Sequence, residues 1–419
     1  MLRAQQPEPH HPTEGSSIGL ALAGGGPLGV IYEIGALRAL DEALEGIDFN
    51  HLHTYVGVSA GSVIAANLVN QLTTADMCRI FIRDEPGEHP FNPQMFLTPA
   101  FGEYFRRISS IPKLLLDSLW RFARNPFDLG LMESLTGLSQ AMPTGFFDNE
   151  PISRFFSQVY SKDGRSNDFR ELQQKLFVIA VEIDTGESVK FGAEGFDHIP
   201  ISKALQASTA LPGLYPPVEI NGHYYVDGAL IKTMHASVAL DEGADLVICL
   251  NPIVPFDANL AAQAGIPKHD TLMEGGLPVV LSQTFRSLIH SRLEVSMAAY
   301  DSQYENADVI LFEPDRDDEK MFFANVFSFS HRQWVCEHAY QTIRNDLLAR
   351  YEDLEPILSR HGITMRMDIL EDKNRHFSTG LHEQGIPIEK DLEQPKNEFT
   401  QDLEQTLNQL QKLVHSMHN

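Results

Sequence analysis

Two short motifs near the start of the sequence contain residues that could carry out chemistry. The first, Gly57-Val58-Ser59-Ala60-Gly61, has the pattern G-x-S-x-G and lies where a strand-like run gives way to a helical one. A serine on a sharp strand-to-helix turn exposes its hydroxyl, and small neighbours permit the strained backbone of such a turn. The helix N-terminus that follows also favours developing negative charge. We therefore expect Ser59 to be a catalytic nucleophile and Gly57 and Gly61 to form its elbow, with a purely structural turn as the alternative.

The second motif, Gly24-Gly25-Gly26-Pro27-Leu28-Gly29, is open to two interpretations. It matches G-x-G-x-x-G, which in dinucleotide-binding proteins presents a pyrophosphate to a helix, with an acidic residue about 20 residues later at the end of the second strand. Here the second strand ends in the serine motif, and Asp48 lies before that strand. Turns at the ends of successive strands would bring Gly24, Gly25 and Gly26 near Ser59. We therefore expect these glycines to form an oxyanion hole rather than a dinucleotide site.

A serine nucleophile needs a general base, and the sequence offers two kinds. Histidine is the commonest, and five histidines follow Ser59, namely His223, His235, His290, His331 and His338. His223 and His235 lie nearest Asp227 in the sequence, and His235 follows it in the order of a Ser-Asp-His triad. A carboxylate held close to the hydroxyl, such as that of Asp227, could instead accept the proton itself. From the residues alone, the triad is favoured over the Ser-Asp dyad.

Four motifs together resemble those of the patatin-like phospholipase family. Besides the two glycine motifs, the segment "ASTALPGLYPPV" from Ala207 and the sequence Asp227-Gly228-Ala229 occur in the family's order. The resemblance extends over residues 18–230, roughly half of the chain. It implies a three-layer α/β sandwich, and it implies that the segment around Pro212 forms a wall near the site.

The resemblance also implies a function, namely hydrolysis of lipid carboxylic esters such as phospholipids or lysophospholipids. Ser59 would form an acyl-enzyme and Asp227 would act as base, so that neither a histidine nor a metal or other cofactor is required. One position departs from the family's pattern, because many members have Arg or Lys where this chain has Leu28. Loss of that positive charge weakens the case for a phosphate-bearing head group and favours a neutral ester, a lysolipid or a thioester.

Composition limits the remaining function classes. The 419 residues carry a formal net charge of −25, which disfavours nucleic acid and general adhesion to anionic lipid. Three widely spaced cysteines suit a reducing compartment, so we expect a cytoplasmic protein with at most peripheral membrane contact. Residues 1–17 are polar and proline-rich without the apolar core of a signal peptide, and are expected to be a disordered lead. No stretch approaches the roughly 18 apolar residues of a membrane span.

The elements that must position these residues follow from the hydrophobic pattern. Strand-like runs, among them "IGLALAG", "LFVIAVEID", "DLVICLNP" and "ADVILFEP", alternate with helical patterns, which predicts a mostly parallel sheet covered on both faces. Asn221-Gly222 between two β-prone runs predicts a hairpin whose return strand ends at Asp227. We expect a catalytic domain over 18–350, with its core in 18–230 and an insertion at 73–148. A charged, helical extension over 351–419 would follow.

Three segments could mediate contacts. Residues 104–126 combine five basic residues with Leu and Trp, which suits a lid or a membrane-surface helix, or else an amphipathic helix packed on the sheet. The helical stripe Leu277, Leu281, Phe285, Leu288 and Ile289 is expected to pack in the core. Leu403, Leu407, Leu410, Val414 and Met417 form a short seam that would dock on its own chain or on a second copy. A catalytically weak module that binds lipid or a partner through this C-terminal helix is the alternative function.

Overall fold

The computed structural model describes residues 15–83, 98–100, 104, 143–263, 276–318 and 331–381. The chain divides into two units, Met1–Thr379 and Gly380–Asn419, and the architecture below belongs to the first. Most of the expected insertion, including residues 105–126, and the seam at 403–417 lie outside the described residues. The same holds for residues 1–14 of the expected lead. Its last two residues form hydrogen bonds, from the Ser17 N–H to Asp245 at 2.8 Å and between Ser16 and His361 at 2.6 Å.

Strands and helices alternate along most of the described chain. The strands are β1 (Ile18–Leu22), β2 (Leu44–Glu45), β3 (Thr54–Val58), β4 (Lys175–Glu182), β5 (Ser188–Phe191), β6 (Val218–Ile220), β7 (His223–Asp227), β8 (Leu246–Leu250), β9 (Asp308–Phe312) and β10 (Thr364–Met365). The helices are α1 (Gly26–Ala43), α2 (Ala60–Val69), α3 (Thr74–Met77), α4 (Glu150–Tyr160), α5 (Ile201–Ser208), α6 (Ala236–Asp241), α7 (Ala258–Gln263), α8 (Gly276–Gln303), α9 (Arg332–Ala349), α10 (Tyr351–Arg360) and α11 (Met367–Leu370). A π-helical turn at Cys78–Ile82 follows α3, and 3₁₀ turns lie at Phe169–Glu171 and Gly228–Leu230.

The eight strands of the central sheet are linked by pairing along the path β6-β7-β4-β3-β1-β8-β9, with β3 and β7 on one edge of β4 and β5 on its other edge. The five strands β4, β3, β1, β8 and β9 are parallel, β5 and β7 pair antiparallel with β4, and β6 pairs antiparallel with β7. Parallel strands need crossovers that cover both faces of the sheet, so such strands read as continuous apolar runs. All five residues of β3 and of β8 are buried. The expectation of a mostly parallel sheet is confirmed.

Helices cover both faces, which makes the three layers of the expected sandwich. On one face, side chains of β1, β3, β4 and β8 pack against α6 and the second half of α8 in a cluster that includes Ala21, Val56, Ile179, Val247, Leu240 and Leu293. On the opposite face, Leu22 meets α2 at Gly61, where a Cβ would lie 2.6 Å from that of Leu22. Helix α1 lies against α9 so closely that a Cβ on Gly35 would be 2.3 Å from the Cys336 carbonyl oxygen.

Helices follow the sheet in the C-terminal region, as expected. Strand β10 pairs with β2, the short strand that follows α1. The Arg344 guanidinium of α9 donates hydrogen bonds to the carbonyl oxygens of Ile369, Leu370 and Asp372, at 2.6, 3.1 and 2.7 Å. These bonds hold α11 and the turn after it against α9. None of the helices in the described part of the chain has both the length and the apolar content of a membrane span.

The hairpin before Asp227 is confirmed. Asn221 and Gly222 have φ values of 54° and 86°, and β6 and β7 pair on either side of them. Positive φ at both central positions is what a type I′ turn requires, and Asn-Gly tolerates it best. The turn thereby fixes where the return strand ends.

The expected core packing of the apolar stripe on α8 is wrong. Leu281, Phe285 and Leu288 are 46%, 50% and 54% exposed, and Ile289 is half-buried; the side chain of Leu277 lies outside the description. The physical reason is on the other side of the helix, where Gln283 and Arg286 donate to backbone carbonyls of the loop after β8. Helix α8 therefore turns polar side chains inward at its N-terminal half and leaves its apolar stripe at the surface.

Candidate active site

Ser59 lies on a strained turn between β3 and α2. Its φ of 50° and ψ of −118° place a residue with a Cβ in a region that L-residues rarely occupy, and such strain clusters at functional sites. The Ser59 N–H donates to Ser208 Oγ at 2.8 Å, and the Gly61 N–H donates to the Ala23 carbonyl oxygen at 3.1 Å. The turn is thus held on both sides, by α5 and by the end of β1.

The two glycines of the serine motif are required by close approach. A Cβ on Gly57 would lie 2.3 Å from the Ser62 Cα, and one on Gly61 would lie 2.5 Å from the Leu22 carbonyl carbon. Both distances are well below van der Waals contact, and both partners are backbone atoms that cannot move aside. Any larger residue would therefore push α2 away from the strands and displace Ser59.

Asp227 reaches Ser59 because two strands share one edge of β4. Strand β5 pairs with β4 residues 178–181 on one edge. On the other edge β3 pairs with residues 175–179, and β7 with residues 180–182. Val58, the last residue of β3, pairs with Ile179, and Asp227, the last residue of β7, pairs with Ala180. Because β7 is antiparallel to β4, the carboxyl ends of β3 and β7 meet, and the serine and the carboxylate become neighbours.

The resulting pair is buried and directly hydrogen-bonded. Ser59 Oγ donates to Asp227 Oδ2 at 2.6 Å, and the two residues are 5% and 3% exposed. The Ala229 N–H donates to the other carboxylate oxygen at 2.9 Å. Burial raises the pKa of Asp227 to about 6, although the hydrogen bonds from Ser59 and Ala229 lower it. At neutral pH the carboxylate is therefore mostly ionised and able to accept a proton.

The histidines that sequence reasoning offered as the base lie elsewhere. His223 Nδ1 is 2.7 Å from Glu182 Oε1, and His338 Nε2 is 2.6 Å from Asp318. His235 is buried, and burial is the main reason that its pKa is lowered to about 3. Within the described residues, Asp227 is the only hydrogen-bond partner of Ser59 Oγ. Among the described residues, the geometry offers a Ser-Asp pair and no histidine hydrogen-bonded to the serine hydroxyl.

The glycine-rich turn lies beside Ser59. A Cβ on Gly24 would be 3.2 Å from that of Ser59, but the Gly24 N–H already donates to the Thr233 carbonyl oxygen at 3.2 Å. Gly25 and Gly26 open helix α1, where the first N–H groups have no intrahelical acceptor. Gly26 has a φ of 59°, and a Cβ on Gly25 would be 2.6 Å from Pro252 Cγ. In the described part of the chain neither of these two N–H groups has an acceptor.

Ser208 and Pro252 are site residues that sequence reasoning did not identify. Ser208 accepts from the Ser59 N–H and donates to the Ile179 carbonyl oxygen at 2.6 Å, so it ties the elbow to β4. The sequence did contain an indication of Ser208, because this residue lies in the "ASTALPG" segment on which the family resemblance rests. Pro252 packs on the glycine turn, and no pattern in the sequence marks it. Among the described residues, no three His, Cys, Asp or Glu side chains are grouped as metal ligands.

Comparison with protein families gives one match. The family model described as "Patatin-like phospholipase" matches residues 20–240, which is more than half of the 419-residue chain. Its bounds enclose the glycine turn, the serine elbow and Asp227. They end before α8 and the C-terminal helices.

Curated relatives and solved structures are more distant. The protein named lysophospholipase NTE1 of Coccidioides immitis is 25% identical over 237 residues, which is 57% of this chain but 12% of the relative. Rv2565 of Mycobacterium tuberculosis, described as an uncharacterized NTE family protein, is 23% identical over 257 residues, 58% of this chain and 34% of that one. VipD from Legionella pneumophila is 14% identical with a TM-score of 0.33, covering 84% of this chain and 75% of its own. The type III effector ExoU is 14% identical with a TM-score of 0.34, covering 80% and 53%.

Proposed function

The chain belongs to the patatin-like phospholipase family, and from this premise we propose that it is a serine acyl hydrolase of lipid carboxylic esters. The observation that carries the proposal is the 2.6 Å hydrogen bond from Ser59 Oγ to Asp227 Oδ2 at a buried, strained elbow. Acyl transfer to a serine requires a nucleophile and a general base within hydrogen-bond distance of each other. The dyad requires no histidine.

In the proposed reaction, Ser59 Oγ attacks the carbonyl carbon of the ester while its proton passes to Asp227 Oδ2. The tetrahedral intermediate then collapses, its C–O bond to the alcohol breaks, and the leaving alcohol takes the proton back from Asp227. This leaves the acyl group on Ser59. Water then attacks the acyl-enzyme while Asp227 takes a proton from it. The bond from the acyl carbon to Ser59 Oγ breaks, and Ser59 Oγ takes the proton back from Asp227 as the fatty acid leaves. Each step uses the carboxylate in alternate protonation states, which suits a pKa of about 6.

The N–H groups of Gly25 and Gly26 are the proposed donors to the oxyanion. They lie at the N-terminus of α1, where the helix dipole also favours negative charge. Gly24 was expected to share this role, but its N–H donates to Thr233. We therefore assign Gly24 to close packing against Ser59. Loss of one such donor typically costs about 3 kcal/mol of transition-state stabilisation.

The proposed substrate is a lysophospholipid or a phospholipid. The support is that two relatives are named lysophospholipases. Leu28, a buried leucine where many family members have a cation, supplies no charge for a phosphate, so the head group is proposed from the relatives alone. An exposed apolar side chain also lies near the dyad. Leu211, 37% exposed, follows the residue whose carbonyl accepts the Asp227 N–H. Such a side chain suits contact with an acyl chain.

Intact mass after treatment with a long-chain fluorophosphonate tests the proposal. We expect one adduct on the wild-type protein and none on Ser59→Ala, together with release of fatty acid from lysophosphatidylcholine by the wild type alone. Ser161→Ala, an exposed serine outside the site, is the matched control and should label like wild type. Absence of an adduct on the wild type, with and without detergent micelles, would contradict the proposal. An adduct that persists in Ser59→Ala would do the same.

A further inference from the structure

The surface of α8 carries an apolar stripe that is exposed along the helix. Leu281, Phe285, Leu288 and Val295 are 46%, 50%, 54% and 70% exposed. Their spacings of four, three and seven residues place them on one side of a helix with 3.6 residues per turn. We call these four residues the α8 stripe. Exposed apolar side chains that occur singly are ordinary, but four in one row on one helix indicate a contact surface.

Polar contacts on the opposite side of α8 fix this orientation. The Gln283 side chain donates to the Phe256 carbonyl oxygen at 2.8 Å and accepts from the Phe256 N–H at 3.1 Å. Arg286 is buried, at 8% exposure, and its guanidinium donates to the Val254 carbonyl oxygen at 3.2 Å. Rotating the helix to bury the stripe would break these bonds and expose the loop carbonyls. The outward position of the stripe is therefore built into the fold.

The same helix touches both loops that frame the dyad. Arg292, which continues the row between Leu288 and Val295, donates to the carbonyl oxygens of Leu230 and Ile231 at 3.0 and 2.8 Å. These residues belong to the turn directly after Asp227. At its other end α8 holds the loop of Val254 and Phe256, which follows the proline that packs on the glycine turn. A ligand on the α8 stripe would thus lie beside the turn that follows Asp227.

The charge of this segment differs from that of the rest of the chain. The row from Leu281 to Val295 contains no Asp or Glu, and its charged residue is Arg292, whereas the whole chain has a net charge of −25. Arg286 is buried on the opposite side, and Glu294 lies off the row. An apolar outer face with a cationic group in its row suits the boundary between phospholipid headgroups and acyl chains. An acidic face would be repelled there.

We propose that the α8 stripe is the surface by which the protein docks on a phospholipid bilayer, with Arg292 at the level of the headgroups. The inference rests on the proposed function, because a lipid ester is presented at such a surface and the stripe adjoins the loops of the dyad. A second copy of this chain on the same surface would instead separate the stripe from lipid. The docked orientation would bring membrane lipid to Ser59 without requiring it to cross water.

Vesicle binding in a Ser59→Ala background tests the proposal without hydrolysis of the lipid. The probe is phosphatidylcholine vesicles, with and without phosphatidylserine, measured by flotation. Combined Leu281→Ser, Phe285→Ser and Leu288→Ser should weaken binding to both by about tenfold or more, since each loses apolar burial. Tyr351→Ser is the matched control, because Tyr351 is also an exposed apolar residue, 36% exposed, at the start of a different helix. It should bind like the parent protein.

A second measurement does not depend on removing side chains. Leu288→Trp should show a blue shift of indole emission when phosphatidylcholine vesicles are added, because the new side chain leaves water. Tyr351→Trp should show none. An unchanged unfolding temperature for all these variants is expected, since the substituted side chains are exposed.

The outcomes separate this proposal from the proposed hydrolase. Hydrolysis of a soluble short-chain ester by wild type, with equal vesicle binding by parent and triple variant, would overturn docking by the stripe and leave the hydrolase intact. Stripe-dependent binding without any esterase activity would support docking and contradict the hydrolase. Loss of a dimer in the triple variant, seen by light scattering, would assign the stripe to a second copy and overturn the proposal. The expected result is a monomer whose ratio of vesicle to soluble-ester hydrolysis falls about tenfold or more in the triple variant.

Discussion

Asp227 and Glu33 are two carboxyl groups buried to the same extent in different surroundings. Glu33 is 0% exposed and Asp227 3%, and desolvation raises the pKa of both. Asp227 accepts hydrogen bonds from Ser59 and Ala229, which limit the rise to about 6. In the described structure neither carboxylate oxygen of Glu33 has a hydrogen-bond partner. The Ala23 N–H lowers the pKa of Glu33 in part, but this N–H donates its hydrogen bond to the Leu250 carbonyl oxygen. The pKa of Glu33 is therefore well above its usual range.

The difference teaches how a buried carboxyl is kept available as a base. Burial without such donors keeps the pKa of Glu33 well above its usual range, and a carboxyl that is protonated cannot accept a proton from serine. Two donors, one of them the serine itself, bring the pKa down to where the group is ionised at neutral pH but can still be protonated. Both donors exist because β7 ends at Asp227 and a 3₁₀ turn follows at once.

The largest expected difference between the two carboxyls is in catalysis. Asp227→Asn should lower kcat for lysophosphatidylcholine by about 10²–10⁴-fold, since the general base is removed. Glu33→Gln changes a carboxyl whose two oxygens have no hydrogen-bond partner in the described structure, and it should change kcat by less than about threefold. Steady-state kinetics of the two purified variants measure this. If the glutamine variant were inactive although folded, the assignment of a passive role to Glu33 would be wrong.

The next effect is on stability, and its sign follows from the raised pKa. The folded state binds a proton to Asp227 more tightly than the unfolded chain does, so this group loses stabilising free energy as the pH rises from about 4 to about 6. Above that window the buried charge costs up to roughly 3 kcal/mol. Asp227→Asn should therefore raise the free energy of unfolding at pH 8 and have little effect at pH 4.

Denaturant unfolding of Asp227→Asn and Glu33→Gln at the two pH values checks this linkage. The glutamine variant should also gain stability relative to wild type between pH 4 and pH 8, because the pKa of Glu33 is raised too and the unfolded chain loses that proton over this range. A variant without such a gain would contradict the raised pKa of its carboxyl.

The smallest effect concerns the serine as a donor. Ser59→Ala removes one of the two hydrogen bonds that lower the pKa of Asp227, so this pKa should rise towards that of Glu33. The measurement compares the free energy of unfolding of Ser59→Ala with that of the double variant Ser59→Ala/Asp227→Asn as a function of pH. The midpoint of this pH dependence should lie above the midpoint for the same comparison of wild type with Asp227→Asn. An unchanged midpoint would show that Ala229 alone sets the pKa.

The parts of the fold that the sequence predicts are those with local signals. Asn221-Gly222 predicts the hairpin because only a few residues tolerate its backbone, and continuous apolar runs predict the parallel strands. The residues of the dyad are indicated by motif and resemblance, but the shared edge of β4 is not, because strand register joins residues far apart in sequence. The bond from Ser59 to Ser208 spans 149 positions and has the same origin.

Helix α8 illustrates a different limit. Its periodicity correctly predicts a helix with one apolar side, but periodicity does not state whether that side faces the core or the surroundings. The direction is decided by Gln283 and Arg286, whose partners are backbone carbonyls of a loop that no pattern in α8 reveals. The hydrogen bond from the Gly24 N–H to the Thr233 carbonyl oxygen likewise cannot be predicted from the glycine motif.

The pH dependence of kcat/KM on a soluble ester tests the central claim, catalysis by Ser59 with Asp227 as base, most directly. The two candidate bases titrate far apart, with the pKa of Asp227 at about 6 and that of His235 at about 3. We predict that log kcat/KM rises with pH to a midpoint near 6, and that His235→Ala keeps this profile while Asp227→Asn loses it with the activity. A profile already flat above pH 4, or activity retained in Asp227→Asn and lost in His235→Ala, would contradict the account.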